Sequence, residues 1–248
     1  MLDFLIILLV SFFATALSSM SGGGASVITI PVLLWMGVPF PLAITAQKLA
    51  AIFWVLPAAY NYLKGRKVDW LFLTAFSAIG LFGVYIGVSV VVNTNQDILR
   101  LVIGTLILCL VAYTVLKRNI GLAEHVVRSK AKSFISYVFA LILGFYEAIF
   151  GSGNGIMFSI LTLKTRGFDF VDALGYYYAV VFPWEVFATA LFVSKGYFSW
   201  EVMIPTVIGS IVGGYIGSKY AKYKGNKFIK IMFVIIGSIL GLKLIIGL

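Results

Sequence analysis

Charge is scarce in this chain. Of its 248 residues only 11% are Asp, Glu, Lys or Arg, while 61% are hydrophobic; soluble domains run nearer about 25% charged and about 45–50% apolar. A soluble core of this size has no room for so much apolar surface, so lipid must be the solvent for most of it. Histidine and cysteine are scarcer still, one of each, His125 and Cys109. A single cysteine excludes an intrachain disulfide, and one Cys with one His excludes the usual zinc and haem ligand sets. No metal or other cofactor is expected, no catalytic constellation can be assembled, and an enzyme is not the expected reading. The chain also lacks a Gly-x4-Gly-Lys-Ser/Thr phosphate loop and any polar stretch large enough for a nucleotide-binding domain. ATP-driven work by this chain alone is therefore not expected.

Acidic residues are also few, nine against nineteen basic ones, for a net charge of +10. Such an excess can mark nucleic-acid binding, but here nearly all the charge lies in short breaks between apolar runs. That is the pattern of topology-setting lysines in a lipid bilayer, so no nucleic-acid partner is expected.

What the chain has is apolar length. Backbone groups in lipid need internal partners, which leaves helices or closed barrels. Runs such as 101–116, or 229–248 broken only by Lys230 and Lys243, are apolar on nearly every face and read as helices. Ten stretches can be marked, at 4–20, 25–36, 42–63, 70–92, 98–116, 134–149, 156–163, 171–194, 201–218 and 229–247. Most are long enough for a hydrocarbon core of about 30 Å, which takes about 20 helical residues. The second and seventh are too short, and each follows a glycine-rich break, Ser21-Gly22-Gly23-Gly24 and Gly151-Ser152-Gly153-Asn154-Gly155. The first stretch imitates a signal peptide, with Ala14-Thr15-Ala16 as a cleavage-like triplet, yet no Lys or Arg precedes it. It is expected to stay as a helix.

The breaks open an internal repeat. Ser21-Gly22-Gly23-Gly24 falls on Ser152-Gly153-Asn154-Gly155 at a shift of 131 residues. At a shift of 130, Gly37 meets Gly167, Phe40 meets Phe170, Ala43 meets Ala173, Trp54 meets Trp184 and Trp70 meets Trp200. Further on, Gly83-Val84-Tyr85-Ile86-Gly87 overlays Gly213-Gly214-Tyr215-Ile216-Gly217, and Arg100 overlays Lys230. If each short stretch pairs with its predecessor as an out-and-back hairpin, the loops at 64–67, 117–132, 164–166 and 219–230 share one side and hold 15 of the 19 Lys/Arg. Single passes instead split them 10 against 9, so the positive-inside rule selects the hairpins. Each half then has an odd number of passes and the second copy enters upside down. The expected fold is an all-α polytopic membrane protein of two inverted-topology repeats, each an interrupted helical hairpin plus three transmembrane helices. The first repeat spans 1–120, a cytoplasmic linker 121–133 and the second repeat 134–248. Both termini are expected on the non-cytoplasmic side of the plasma (inner) membrane. Inverted repeats are a recurring plan of secondary transporters.

Interrupted helices at membrane depth line cavities or lie buried in protein. Backbone N–H groups opening the helices at Ala25 and Ile156 make an anion site, strengthened by the helix dipole. The expected substrate-binding set is Ser21, Gly22, Gly23, Gly24 and Ser26 from the first break and Ser152, Gly153, Asn154 and Gly155 from the second. Gly83/Gly87 and Gly213/Gly217, four apart on one face, are read as close helix-packing positions instead. Ionisable groups within apolar stretches are expensive and mark function. Glu147 and Glu185 are candidates to bind a coupling proton, since burial favours a carboxyl's neutral form; the structural alternative is pairing of one of them with Lys48. Lys48 beside Gln47 can also meet an anion as a point charge. Tyr177 and Tyr178, in the copy of the Gln47-Lys48 region, are added as pocket candidates. Pro57 and Pro183 should bend their helices.

Ser21-Gly22-Gly23-Gly24-Ala25 followed by Ile30-Pro31-Val32-Leu33-Leu34 and Gly37, with the Gly-x-Tyr-Ile-Gly helices, resembles the sulfite exporter TauE/SafE-like (TSUP) permeases. The resemblance covers essentially the whole chain. It implies transport of small anions, often sulfur-containing ones such as sulfite or sulfonates, driven by an ion gradient. The second half departs from the pattern at Gly-Ser-Gly-Asn-Gly and at Thr162, where the first has a proline. The expected function is a secondary transporter of a small anion, with lipid, the substrate and a coupling proton or cation as partners and homo-oligomerisation open. A passive anion channel with the same lining is the alternative.

Overall fold

Small and hydroxyl-bearing residues share the interior with large aromatic ones, and large apolar residues also cover the outside. The computed structural model describes residues 2–91, 105, 108–116, 122, 130–149 and 151–246. The first helix, α1 (Leu2–Ser21), buries Ser11, Ala14, Thr15, Ser18, Ser19 and Ser21, and exposes Leu5, Leu9, Phe13 and Leu17 as a stripe at helical spacing. With lipid as the outer solvent the apolar stripe costs nothing, and the hydroxyls find partners inside. Thr15 donates to the Ser11 carbonyl at 2.6 Å.

Helices follow the apolar runs. After α1 come α2 (Ala25–Trp35), α3 (Phe40–Leu63), α4 (Trp70–Val91) and α5 (108–116). Then follow α6 (Lys130–Ile149), α7 (Asn154–Thr165), α8 (Phe170–Ser194) and α9 (Trp200–Ile246). By length and apolarity, five of the described helices can cross a membrane. No strand occurs among the described residues. The chain is a polytopic α-helical membrane protein.

Some boundaries differ from expectation. The runs 201–218 and 229–247 are the two limbs of α9, which breaks at Gly225 (φ 77°, ψ −175°), a conformation only glycine adopts freely. Helix α6 begins at Lys130 rather than at 134, and α7 at Asn154 rather than Ile156. Of the stretch 98–116 only its end is described; Arg100, His125 and most of the 121–133 linker lie outside the described residues.

Glycine decides which helices touch. A Cβ on Gly83 would lie 2.6 Å from the Phe145 backbone nitrogen, and one on Gly87 would lie 2.8 Å from the Ala148 Cβ, so α4 rides directly on α6. On the other flank a Cβ on Gly213 would lie 2.9 Å from the Phe12 carbonyl carbon and one on Gly217 would lie 2.9 Å from the Ala16 Cα, which seats α9 on α1. The first helix of each half thus packs against the other half. Between these pairs run α3 and α8. Trp54 of α3 lies against Gly214, and Trp184 of α8 against Gly80, where its indole N–H donates to the Ser77 carbonyl at 2.8 Å.

These contacts leave no room for a side chain. Gly83→Leu and Gly213→Leu are each expected to destabilise the protein by about 1–3 kcal/mol or to abolish folding, as overpacking does. Thermal unfolding in detergent, compared with the exposed control Ile208→Leu, measures the loss.

Candidate functional site

The two glycine-rich breaks meet. Gly22, Gly23 and Gly24 take φ of 88°, 137° and 116°, and Gly151 and Gly153 take 68° and 82°; L side chains rarely adopt such backbone, so glycine is what lets both helices stop and restart here. A Cβ on Gly23 would sit 3.1 Å from the Gly153 nitrogen, and one on Gly22 would sit 3.0 Å from the Gly155 carbonyl carbon. The Ser26 and Ser152 hydroxyls hydrogen-bond across the junction.

Beside the junction lies a cavity of about 50 Å³, against roughly 10–15 Å³ for one water. Among the described residues its charged lining is Lys48, Glu147 and Glu185. Lys48 comes from the third turn of α3, Glu147 from the end of α6 and Glu185 from the middle of α8. The Lys48 ammonium donates to the Glu147 backbone carbonyl at 2.8 Å and pairs with Glu185 Oε2 at 3.2 Å. Side-chain exposure of the pair is only 7% and 5%. The Glu147 carboxyl hydrogen-bonds the Glu185 carboxyl, and its Oε2 accepts from Asn154 Nδ2 at 2.5 Å and from the Tyr177 hydroxyl at 3.3 Å. A Cβ at Gly151 would fall 2.5 Å from Glu147 Oε1, so glycine also admits this carboxyl. Gln47 Oε1 accepts from Thr29 at 2.5 Å.

Of the expected binding residues, Gly23, Gly24, Ser26, Gln47, Lys48 and Tyr177 line the cavity together with Glu147 and Glu185. Ser21, Gly22, Ser152, Gly153, Asn154, Gly155 and Tyr178 are not in its wall. Ser21 Oγ bonds the Leu17 carbonyl at 3.2 Å, and Asn154 bonds the Leu143 carbonyl at 3.0 Å besides Glu147. The Tyr178 hydroxyl caps the Ser18 carbonyl at 2.8 Å while its ring packs on Trp54 and Tyr62. The Ile156 N–H is not free either, since it bonds the Gly153 carbonyl at 3.0 Å. The second break therefore reaches the cavity wall only through Gly151, whereas the first contributes Gly23 and Gly24. Residues not expected there include Ser18, Gly151 and Trp54. Trp54 was legible as one of the repeat's paired tryptophans. Unlike Trp184, its buried indole N–H has no acceptor among the described residues.

Beyond Tyr177 in the cavity wall lies an aromatic and ionic layer. An aromatic series runs from Tyr177 to Phe158 (5.8 Å between centroids), Phe76 (5.1 Å), Phe72 (5.3 Å) and Tyr176 (5.8 Å). Ion pairs close over it. Arg66 binds Asp169 at 3.0 Å and Asp172 at 3.3 Å, and Arg166 meets Asp69 at 3.7 Å with its guanidinium 4.0 Å over the Phe72 ring. Asn226 adds a bond to Asp169 at 3.0 Å.

Apolar helices around a buried cationic and carboxylate cavity define a polytopic membrane protein with an intramembrane polar site. Comparison with known proteins makes this particular. The profile of the sulfite exporter TauE/SafE family matches residues 7–244, and the chain belongs to that family. It is 29% identical over 259 residues to a protein of Haemophilus influenzae named "Probable membrane transporter protein", covering 98% of this chain and 95% of the relative. It is 27% identical over 236 residues to "Probable membrane transporter protein ORF9" of Sinorhizobium sp., covering 95% and 89%, and 24% identical over 244 residues to "Probable membrane transporter protein YfcA" of Escherichia coli, covering 97% and 88%. No solved structure matches.

Removing one partner of a buried ion pair leaves an uncompensated charge. Lys48→Met is expected to cost about 3–5 kcal/mol, and the added change Glu185→Gln to restore part of it. Thermal unfolding of the two single variants and the double variant in detergent gives the coupling.

Proposed function

We propose that this protein is a secondary transporter of a small anion, a sulfur oxyanion or organosulfonate, driven by an ion gradient. The observation that carries the reading is the cavity at the junction of the two breaks, where the Lys48 ammonium stands beside the N-terminus of α2. A point charge, a helix N-terminus and the Ser26 hydroxyl favour an anion, and about 50 Å³ suits one of only a few heavy atoms. Family membership supports transport and, through the family's name, sulfite. Glu147 and Glu185 offer groups that can take up a coupling proton.

The matched halves are read as inverted repeats: 1–120 and 134–248, joined by a cytoplasmic linker at 121–133. The exchange of first helices, α1 onto α9 and α6 onto α4, supports it, because each half then carries part of the other when they rock. With the basic loops inside, both termini lie outside the cytoplasm of the inner membrane, and the aromatic and ionic seal faces the cytoplasm. A seal between site and cytoplasm also favours a transporter over a passive channel with the same lining.

Purified protein in liposomes is expected to take up sulfite or methanesulfonate with saturating kinetics and to respond to an imposed pH gradient. Flux linear in concentration and indifferent to the gradient supports the channel instead. For topology, a cysteine placed in the 117–132 loop of a Cys109→Ala background is expected to react with an impermeant maleimide only after the membrane is opened. Labelling of intact cells at that loop reverses the orientation.

A further inference from the structure

Lys48 has three N–H donors, and the protein's own groups engage them. One goes to the Glu147 carbonyl at 2.8 Å, and the Glu185 carboxylate receives the rest, with Oε2 at 3.2 Å and Oε1 at 3.5 Å. Both oxygens of one planar group thus face one ammonium, the arrangement a bound oxyanion adopts. An entering anion finds no donor on Lys48 unless Glu185 withdraws. Resting on the anion-transport reading above, we propose that Glu185 is a tethered stand-in for the substrate: a monoanionic oxyanion displaces it from Lys48, and one proton enters with each anion, carried on Glu185.

Charge balance supplies the proton. Lys48 is the only cation in the described lining, and it faces two carboxyl groups. Adding an anion next to an ionised Glu185 places two like charges on one buried ammonium, which a low-dielectric site disfavours. A proton from the aqueous side on a Glu185 oxygen removes that charge. After the protein opens to the other side, the anion leaves, the proton is released, and the Glu185 carboxylate returns to Lys48. No other bond is made or broken.

The neighbouring groups single out Glu185. Facing it are Lys48 from α3, Glu147 from α6 and Tyr177 from its own helix α8; α4 and α2 carry no Asp, Glu, Lys or Arg. Glu147 touches Lys48 through its backbone carbonyl, while its carboxyl is held by Asn154 at 2.5 Å and Tyr177 at 3.3 Å and also hydrogen-bonds the Glu185 carboxyl. When Glu185 leaves Lys48, Asn154 and Tyr177 still hold the Glu147 carboxyl, so Glu147 stays a positioning group and Glu185 couples.

The test uses methanesulfonate, whose charge does not change between pH 5 and 8, with the full chain in detergent. Calorimetry in buffers of different ionisation enthalpy counts the protons taken up on binding. Wild type is expected to take up one proton per anion, with affinity falling by up to tenfold for each unit of rising pH. Glu185→Gln is expected to bind with no proton uptake and no pH dependence, and Glu147→Gln still to take up one proton. Wild-type binding without proton uptake, or a proton count unchanged in Glu185→Gln, overturns the inference while leaving anion transport standing. If wild type neither binds nor transports methanesulfonate or sulfite, the anion reading itself falls, and the inference with it. Should Glu185→Gln fail to fold, the wild-type proton count and pH slope still decide.

Discussion

An ammonium group buried where lipid is the outer solvent has to be met inside the protein, and the arrangement around Lys48 answers that demand. The effective cost of burying one such ion is several kcal/mol, and it is offset by the Glu185 carboxylate and the Glu147 carbonyl. The three residues come from α3, α8 and α6, so the interaction ties together helices from both ends of the sequence. It also requires the breaks. A continuous α1–α2 or α6–α7 would fill the space with side chains, and Gly151 has no Cβ to push the Glu147 carboxyl aside.

The rest of the packing lets that centre exist. Glycine contacts bring α4 onto α6 and α9 onto α1 at backbone distance, a geometry that works in lipid because dispersion and close approach, rather than the hydrophobic effect, hold such helices together. The apolar outer stripe of α1 and its hydroxyl-rich inner face belong to the same logic. Polar side chains lie inward because the surroundings offer them nothing.

The ends of the molecule are not equivalent. Asp69, Arg166, Asp169 and Asp172 form the ionic seal with Arg66, yet at a shift of 130 their counterparts are Ser199, Met36, Pro39 and Leu42. Ion pairs of this sort can separate when hydrated, whereas stacked aromatics separate by rotation or sliding.

Composition, run length and the placement of lysines made the class of fold readable before any coordinate, because lipid imposes its requirements residue by residue. The packing role of Gly83, Gly87, Gly213 and Gly217 and the burial of Lys48, Glu147 and Glu185 were legible for the same reason: glycine pairs and buried charges are conspicuous in an apolar chain. Which carboxyl meets Lys48 was not legible. Spacing along a helix fixes a face, but the distance between α3 and α8 depends on which small residues their neighbours present. Nor could the sequence tell that Asn154 and Tyr178 turn away from the cavity while Trp54 and Ser18 enter its wall. Those choices are made where separate helices compete for the same few cubic ångströms, and only the folded chain settles such a competition.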